Sequence, residues 1–305
     1  MAEYVLRRLL YSLISYVGLL TLVFVLTRLT GDPSYLYLPQ NADAAARAAF
    51  SQQHGFNDPI AVQFGRYLVN LLHFDFGTSL RQYRSAMDIA LEAFPTTLEL
   101  AVIAIVIAVG LSIVVGSLAA YRAGGIFDRV ATIFSLAAGS APDFWVAIVG
   151  ILVFASTLGW LPTSGTGDIS YWIMPVTVLV LRPFGLLVQV VRGTMIGALS
   201  SPYVKTAQAK GVSDRAIIFV HALRNSMLSM ITVAGDLMVS LVNGAVIVET
   251  IYGWPGIGRL MIDAIVQRDF PVVQSTILIT ASAVLVLNIL IDVLYSILDP
   301  RIRHN

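Results

Sequence analysis

Residues Leu100–Tyr121 read LAVIAIVIAVGLSIVVGSLAAY, a run without any charged side chain. A helix needs about 20 apolar residues to cross the hydrocarbon core of a bilayer. Continuous apolar sequence is typical of such a helix, whereas a strand of a membrane barrel alternates apolar and polar residues. The stretch therefore predicts a membrane-spanning helix and an all-α membrane fold.

Five other stretches of the chain are similarly apolar. They are Leu9–Thr27, Val130–Trp160, Ile169–Val191, Asn225–Val248 and Phe270–Ile291. The first follows two arginines, as a signal peptide does, but its apolar part is longer than usual and no small-residue cleavage site follows it. The sequence therefore predicts a polytopic membrane protein with six transmembrane helices, the first of them uncleaved.

The composition excludes several classes of protein. Of the 305 residues, 57% are hydrophobic and 12% are charged, whereas a soluble domain carries about 25% charged residues. An ordinary soluble enzyme, a disordered chain and a nucleic-acid-binding protein are therefore not expected. The absence of cysteine excludes disulfides, thiolate metal sites and a cysteine nucleophile. The four histidines are scattered without metal-ligand spacing, so we predict no metal site and no catalytic residue.

The positive charges in the short loops predict the orientation in the membrane. Eleven fall on one side, namely Arg7, Arg8, Arg122, Arg129, Arg192, Lys205, Lys210, Arg215, Arg224, Arg301 and Arg303. The short loops of the other side hold only Arg259 and Arg268. Because cytoplasmic loops are enriched in Lys and Arg, we expect both termini to be cytoplasmic and residues 28–99 to be external.

This external segment is predicted to contain short helices. The alanine-rich stretch Asp43–Gln53 favours one, and Pro59 after Asn57 and Asp58 favours a second. A third, Ser85–Phe94, is expected at the membrane interface before the second span.

Four polar residues within the apolar runs are candidates for a translocation path, namely Asp143, Arg182, Asp236 and Asn243. Charged side chains at bilayer depth usually face a bundle interior or a polar pathway. The alternative is structural, with each charge paired to another helix, and the polar stripe near Asn243 suits helix packing equally well. Because Asp143 follows Pro142, a kinked or broken helix is expected there.

The predicted cytoplasmic loop, residues 193–225, has the pattern of a helix, a tight turn and a second helix. Ser201 and Pro202 cap and start the first helix, Tyr203–Lys210. Gly211 ends it at a position that favours positive φ, and Ser213 starts the second helix, Asp214–Leu223. Tyr203, Val204 and Ala207 give the first helix an apolar face. That face predicts docking into a groove of a partner, or packing on the membrane or on the protein's own helices.

The loop sequence YVKTAQAKGVSDRAIIFVHALRN (Tyr203–Asn225) resembles the loop of dipeptide, oligopeptide and nickel permeases of ABC importers. The more general E-A-A pattern of importer permeases matches only in part. Its first three positions hold Lys205, Thr206 and Ala207, and its final proline is replaced by Arg224. Three further stretches are similar to the same family, namely Phe74–Ala101, Val248–Gln274 and Asp299–Arg303. The chain is thus identified as a member of this family, of the B type.

The resemblance implies one permease domain, residues 1–305, with the type I importer arrangement in the inner membrane of a prokaryote. It implies a second homologous permease, two cytoplasmic ATPase subunits or domains, an external binding protein and a peptide substrate. ATP and Mg²⁺ belong to the partner ATPases, because the chain lacks G-x-x-x-x-G-K-[ST]. No cofactor and no enzymatic activity are expected in this chain. A nickel or other small-solute importer of the same family remains an alternative, as does a stand-alone secondary transporter or channel.

The resemblance also assigns residues. Coupling to the ATPases is expected from the loop, by the set Tyr203, Val204, Lys205, Thr206, Ala207, Lys210, Gly211, Ser213 and Asp214. Contact with the binding protein is hypothesised for an external apolar stretch, Tyr35, Leu36, Tyr37, Leu38, Pro39 and Gln40. Packing of that stretch on the permease's own helices is the alternative.

Overall fold

A computed structural model of the chain describes residues 14, 16–26, 38–39, 41–53, 55–73, 75–79 and 81–298. These residues are mainly helical, and the only β pairing among them is an isolated antiparallel bridge between Thr78 and Ser85. The all-α prediction is confirmed. In chain order the helices are α1 Tyr16–Leu26, α2 Ala44–Gln53, α3 Ile60–Leu72, α4 Ala86–Tyr121, α5 Ile126–Ser140, α6 Asp143–Gly150, α7 Ile169–Leu199, α8 Pro202–Ala209, α9 Asp214–Ala216, α10 Leu223–Tyr252, α11 Ile257–Val266 and α12 Phe270–Leu298.

Two π-helical stretches extend this series. Ile151–Thr157 continues α6, and Ile217–Ala222 joins α9 to α10 without an interruption. The second one lies in the last part of the predicted cytoplasmic loop, just before the fifth predicted span.

Four helices are long and apolar enough to cross a bilayer: α4, α7, α10 from Ser226, and α12 up to Ile291. They correspond to four of the six predicted spans. α1 is the described part of the first predicted span, and the rest of that span lies outside the described residues. The remaining prediction, Val130–Trp160, falls on a helix pair that can count as a fifth span.

That pair is α5 and α6 with its π-helical continuation, and its two halves are bent by 101°. The break lies at Ala141, whose backbone is extended at φ −69° and ψ 130°. Proline disfavours helical geometry in the residue before it, so Pro142 accounts for the break. The predicted interruption is confirmed, and one straight third span is not observed.

The predicted interfacial segment Ser85–Phe94 is continuous with the second span. Its residues form the beginning of α4, a single helix of 36 residues that contains Pro95. Ala86, Ile89 and Ala90 are buried there. Asp88, Leu91 and Glu92 are exposed on the other face, and the position of this part of the helix at the membrane interface stays a prediction.

The chain divides into two compact units, and the first comprises Met1–Phe94 and Leu260–Leu285. Its core consists of the buried Leu20, Phe76, Ala86, Ile89, Ala264, Val272, Val273 and Leu278. Polar contacts supplement that core. The hydroxyl of Ser79 donates to Asp269 at 2.5 Å, and the hydroxyls of Tyr16 and Ser282 are 2.9 Å apart. The two predicted short helices of the external segment, α2 and α3, are confirmed in this unit.

The second unit comprises Pro95–Arg259 and Val286–Asn305. α7 is its central helix, because α5, α6 and α10 all pack against it. Its N-terminus is capped by Asp168, which accepts the backbone N–H of Ser170 at 3.0 Å. Hydrogen bonds from the Ser170 hydroxyl and backbone lower the pKa of the Asp168 carboxyl. α5 and α7 approach closely at Gly185, where a Cβ would lie 2.3 Å from the carbonyl oxygen of Ser135.

Candidate coupling loop and transport path

The predicted helix, turn and helix of residues 193–225 are present. α7 continues to Leu199, and α8 starts at Pro202, within one residue of the prediction. Gly211 then adopts φ +73°, the left-handed conformation predicted from its position. The amide of Val212 donates back to the carbonyl of Ala207 at 3.2 Å, which closes the turn. Gly211 therefore sets the direction in which the chain leaves α8.

The predicted capping role of Ser201 is wrong in one respect. Ser201 occupies the N-cap position, but its hydroxyl makes no capping bond to α8 and donates to the carbonyl of Ala198 at 2.5 Å instead. The side chain thus stabilises the end of α7 rather than the start of α8. Ser213 likewise precedes α9 without a capping bond from its side chain.

Val204 also differs from its predicted role as part of an exposed docking face. Its side chain is fully buried, and α8 packs against the π-helical stretch Ile217–Ala222. Ile217, Ile218 and Ala222 are buried on that stretch. An apolar residue on a short helix must be covered by something, and here the protein's own chain covers it. Val204 therefore anchors α8 internally and is not available to a partner.

The rest of α8 remains accessible. Tyr203 is 41% exposed, Lys205, Thr206 and Lys210 are exposed, and Ala207 is partly buried. Beyond the turn, the carboxylate of Asp214 accepts a hydrogen bond from the hydroxyl of Tyr121, the last residue of α4. The loop thus presents a small polar and aromatic surface on a helix whose other face is fixed.

The candidate path residues fall into two groups. Asp143 starts α6 just after the bend and is partly buried, and Arg182 is exposed on α7. The positive charge of Arg182 acts on the Asp143 carboxylate. Within the described part of the chain, however, no ion pair of 4.0 Å or less joins the two side chains.

The second group lies on α10. Asp236, Ser240 and Asn243 are exposed, and their spacing places them on one face of the helix. The hydroxyl of Ser240 donates to the carbonyl of Asp236 at 3.0 Å, and the amide of Asn243 donates to Val239 at 3.4 Å. Because a carboxylate facing lipid is costly, this polar face needs water or another protein chain beside it.

The candidate binding-protein contact lies mostly outside the described residues. Tyr35, Leu36, Tyr37 and Gln40 are among those not described. Leu38 and Pro39 are described, and the amide of Ala42 donates to the carbonyl of Pro39 at 2.9 Å, which makes a turn before α2. The predicted contact stays a prediction.

Comparison with known proteins identifies the family. The profile described as "Binding-protein-dependent transport system inner membrane component" matches residues 112–304. The chain belongs to this family. Together with the apolar helices, membership makes it a multi-pass membrane protein and a transport permease.

Two relatives match the permease over their whole length or nearly so. The oligopeptide transport system permease protein AppB of Bacillus subtilis (strain 168) is 35% identical, with 100% of both chains covered. The di/tripeptide transport system permease protein DppB of Pseudomonas aeruginosa (strain UCBPP-PA14) is also 35% identical, covering 100% of this chain and 99% of its own.

Two solved structures share the fold. One, of inward-facing conformations of the MetNI methionine ABC transporter, matches with a TM-score of 0.59 at 14% identity, over 70% of this permease and 97% of that chain. A second, of an amino acid ABC transporter, matches with a TM-score of 0.52 at 16% identity, over 70% of this permease and 94% of that chain. Over that part of the chain, the helical arrangement is therefore shared with chains of two ABC transporters.

An ion pair beside the loop is not predicted by the sequence. Asp128 on α5 is 3% exposed and accepts hydrogen bonds from Nε and Nη2 of Arg192 on α7, the latter at 2.9 Å. It also accepts the backbone N–H of Gly124 at 2.8 Å. In the sequence, Arg192 stands out only as a positive charge near the loop, because no local pattern indicates contact between two residues so far apart. The pair fixes the end of α5 to α7.

Proposed function

We propose that this chain is the transmembrane permease subunit of an ATP-driven ABC importer that takes up di- or oligopeptides by alternating access. Family membership and the printed names of the relatives support the substrate class. The main support for the mechanism is the structure of α8. This short, accessible helix is anchored by Val204 and is joined through Gly211 to the long helix α10. Such an element can receive a movement on the surface and pass it into the membrane domain.

The proposal includes the partners that such a subunit requires. These are a second homologous permease, two cytoplasmic ATPase subunits or domains that bind ATP and Mg²⁺, and an external binding protein that delivers the peptide. The chain forms one permease domain over residues 1–305 in the inner membrane, with six spans, both termini cytoplasmic and residues 28–99 external. The distribution of Lys and Arg in the short loops supports this orientation.

In the proposed mechanism, closure of the ATPases on ATP pushes on the accessible face of α8. The contacts come from Tyr203, Lys205, Thr206, Ala207 and Lys210. Packed side chains carry such a movement, because close-packed interiors deform little. A push on these contact residues is therefore transmitted to the rest of the protein through the buried Val204.

Three further loop residues control the direction of that movement. Val204 bears on the π-helical stretch, so α8 and the start of α10 move together. Gly211 and Ser213 set the angle between α8 and α9, and Asp214 connects this turn to the end of α4.

The proposed path uses the polar groups that lipid cannot solvate. Asp236 and Asn243 line it from α10, and Asp143 and Arg182 line it near the bend between α5 and α6. The exposure of Arg182, Asp236 and Asn243 in the isolated chain supports this placement, since an exposed polar or charged group at bilayer depth requires an aqueous or protein neighbour. The external stretch Tyr35–Gln40 contacts the binding protein.

Purification and uptake together test the function. The chain should co-purify with two ATPases and a related permease, and vesicles containing the assembly with a peptide-loaded binding protein should accumulate labelled dipeptide when ATP is present. Accumulation of labelled Ni²⁺ without peptide uptake would contradict the peptide substrate. Accumulation without ATP or any ATPase subunit would contradict the importer class.

Labelling with an impermeant thiol reagent tests the orientation. The native chain has no cysteine, and the positions of Ala45 and Gln208 are both exposed. In intact cells from which any outer membrane has been removed, Ala45→Cys should be labelled and Gln208→Cys should not. The reverse pattern would overturn the orientation.

A further inference from the structure

A buried carboxylate lies at the end of α10 opposite the coupling loop. Glu249 is 0% exposed. Its carboxylate accepts the hydroxyl of Thr97 at 2.5 Å and the backbone N–H groups of Gly258 and Arg259 at 2.8 and 3.0 Å. In the sequence, this segment carries a resemblance to the permease family, but no local pattern assigns a role to Glu249.

The hydrogen bonds join three helices. Glu249 lies on α10, Thr97 lies on α4, and Gly258 and Arg259 belong to the first turn of α11. The hydroxyl of Thr97 also accepts the backbone N–H of Ile257 at 2.9 Å. The first N–H groups of a helix have no partner within that helix. Here, side chains from two other helices supply the partners. We call Glu249, Thr97 and the backbone of residues 257–259 the Glu249 cluster.

Two glycines allow the chain to approach the carboxylate. A Cβ on Gly256 would lie 2.2 Å from the Glu249 carboxyl, and a Cβ on Gly258 would lie 2.7 Å from the Cα of Val246. Any larger residue must displace the carboxylate or the backbone of α10. The two glycines in the sequence Trp-Pro-Gly-Ile-Gly of residues 254–258 thus leave the space that the Glu249 cluster needs.

Neighbouring contacts reinforce the same junction. The hydroxyl of Thr96 donates to the carbonyl of Pro255 at 2.8 Å, and the indole of Trp254 packs edge-on against Trp172 with ring centroids 4.5 Å apart. The hydroxyl of Tyr252 donates to the carbonyl of Ala147 at 3.2 Å. The end of α10 is therefore bound to α4, α6 and α7 by specific contacts.

α10 connects this junction to the coupling loop. It runs for 30 residues from Leu223 to Tyr252, about 45 Å at the rise of an α-helix. One end continues from the π-helical stretch on which α8 rests, and the other carries Glu249. Rigid elements and packed contacts transmit coupling between distant sites. A displacement of α8 can thus reach the Glu249 cluster through a single helix.

We propose that Glu249 is a positioning residue for transport. Glu249 holds Thr97 of α4 and the first turn of α11 against the end of α10. A movement that α8 passes to one end of α10 is therefore transmitted to α4 and α11 at the other end. The inference rests on the proposed function, because it assigns a purpose to the movement of α8. The carboxylate acts through its position as a hydrogen-bond acceptor and not through its charge.

Substitutions at Glu249 separate position from charge. In Glu249→Gln, the side-chain carbonyl can accept both backbone N–H groups, and the amide N–H₂ can donate to the Thr97 hydroxyl oxygen. In Glu249→Ala, all three donors lose their acceptor. Thr250→Ala is the matched control, because this exposed residue on the same turn donates only to Val246 of its own helix, at 2.7 Å.

The variants are compared as complete assemblies with their partner subunits in vesicles. We expect Glu249→Ala to assemble and to retain basal ATP hydrolysis. Its uptake, and its stimulation by peptide-loaded binding protein, should fall about tenfold, the effect of about 1.4 kcal/mol on an equilibrium. Glu249→Gln and Thr250→Ala should both transport at close to the wild-type rate.

A double substitution tests whether the glycine acts through the carboxylate. Gly256→Ala alone should reduce uptake as Glu249→Ala does, because the new methyl group displaces the carboxylate. Combined with Glu249→Ala it should add nothing further, since neighbouring substitutions that act on one contact are not additive. Additive losses would contradict the inference.

Three outcomes would overturn the proposal. A defect in Glu249→Gln equal to that of Glu249→Ala would show that the charge matters. Normal uptake by Glu249→Ala would show that the cluster is not needed for transport. If Glu249→Ala lowers the amount of assembled protein, Thr97→Val tests the same cluster at nearly constant volume. Loss of assembly there too would show a purely structural role.

Failure of the proposed function is distinguishable from failure of this inference. If the chain is not an ABC importer permease, the wild-type assembly itself will lack ATPase subunits and ATP-dependent uptake. If only the inference is wrong, the wild-type assembly will still contain the ATPase subunits and transport peptide with ATP, and the contradiction will come from the Glu249 and Thr97 variants alone.

Discussion

The two ends of α10 are held in different ways. At the Leu223 end, α8 rests on the π-helical stretch through Val204, and the turn beside it depends on Gly211, which has nothing within 4 Å of an added Cβ. At the Tyr252 end, one carboxylate accepts three hydrogen bonds and two glycines are closely surrounded. One end thus has an open turn and an accessible helix, and the other is tightly fixed. This difference is expected of an element that receives movement at one end and delivers it at the other.

The largest effect on stability is expected at the ion pair between Asp128 and Arg192. This pair also makes part of the structure near the loop rigid. Asp128→Ala leaves the partly buried guanidinium of Arg192 without its partner. Removing one partner of a buried ion pair costs about 3–5 kcal/mol, and the partial exposure of Arg192 places the cost here at the lower end of that range or below it. The thermal unfolding midpoint of the purified assembly should fall clearly. Thr194→Val on α7 serves as the control, because the hydroxyl of Thr194 donates to the carbonyls of Val190 and Val191 in its own helix. An unchanged midpoint in Asp128→Ala would show that α5 is not held to α7 by this pair.

The next effect is expected at the fixed end of α10. In Gly258→Ala the new methyl group meets the backbone of Val246, and overpacking of this kind costs about 1–3 kcal/mol. Both the unfolding midpoint and peptide uptake should decrease. Gly244→Ala, inside α10, is the control, because an added Cβ there meets nothing within 4 Å. If the two variants had equal unfolding midpoints and equal uptake, the Tyr252 end of α10 would not be the tightly packed end.

A more selective effect is expected at the open turn. Gly211→Val has space for its side chain, but the left-handed backbone costs a β-branched residue about 1–2 kcal/mol. Membrane levels should remain near normal, whereas association of the ATPases or uptake should fall about tenfold. Quantitative blotting of membranes, co-purification and uptake would be measured together. A loss of membrane level matching the loss of uptake would contradict a selective role.

The smallest effects are expected at the accessible face of α8. Tyr203→Ala should weaken ATPase association, because it removes an aromatic side chain that is partly exposed. Lys205→Glu should have a mild effect, since the general family pattern has an acidic residue there. Titration of detergent-solubilised permease with purified ATPase would rank the two. A stronger effect of Lys205→Glu than of Tyr203→Ala would place the docking contact at the charge.

Local features of the fold and the site were predictable from the sequence. Long apolar runs identify membrane helices because few other structures satisfy their backbone in lipid. The left-handed Gly211 was predictable because a glycine after a short helical pattern is a common helix end. The break at Pro142 follows from the restriction that proline places on the preceding residue.

Contacts between distant parts of the chain were not predictable in the same way. Two such contacts are the hydrogen bond between Glu249 and Thr97 and the ion pair between Asp128 and Arg192. Both depend on how the helices pack, and no local sequence pattern predicts that packing. The burial of Val204 shows the same limit, because an apolar face indicates that something covers it without indicating what. Pro95 also failed to end a helix, since α4 continues through it while Ala86, Ile89 and Ala90 pack into a core.

The most direct test of the central claim compares the same substitution at two exposed helices. Ala207→Asp places a charge on α8, and Ala45→Asp places one on α2, far from the loop in sequence and predicted to be external. The assembly is purified through a tag on the permease, and the ATPase retained per permease is measured with ATP-dependent peptide uptake. We predict that Ala207→Asp loses ATPase and uptake while Ala45→Asp retains both. Full retention of ATPase and uptake by Ala207→Asp would contradict the assignment of α8 as the coupling helix.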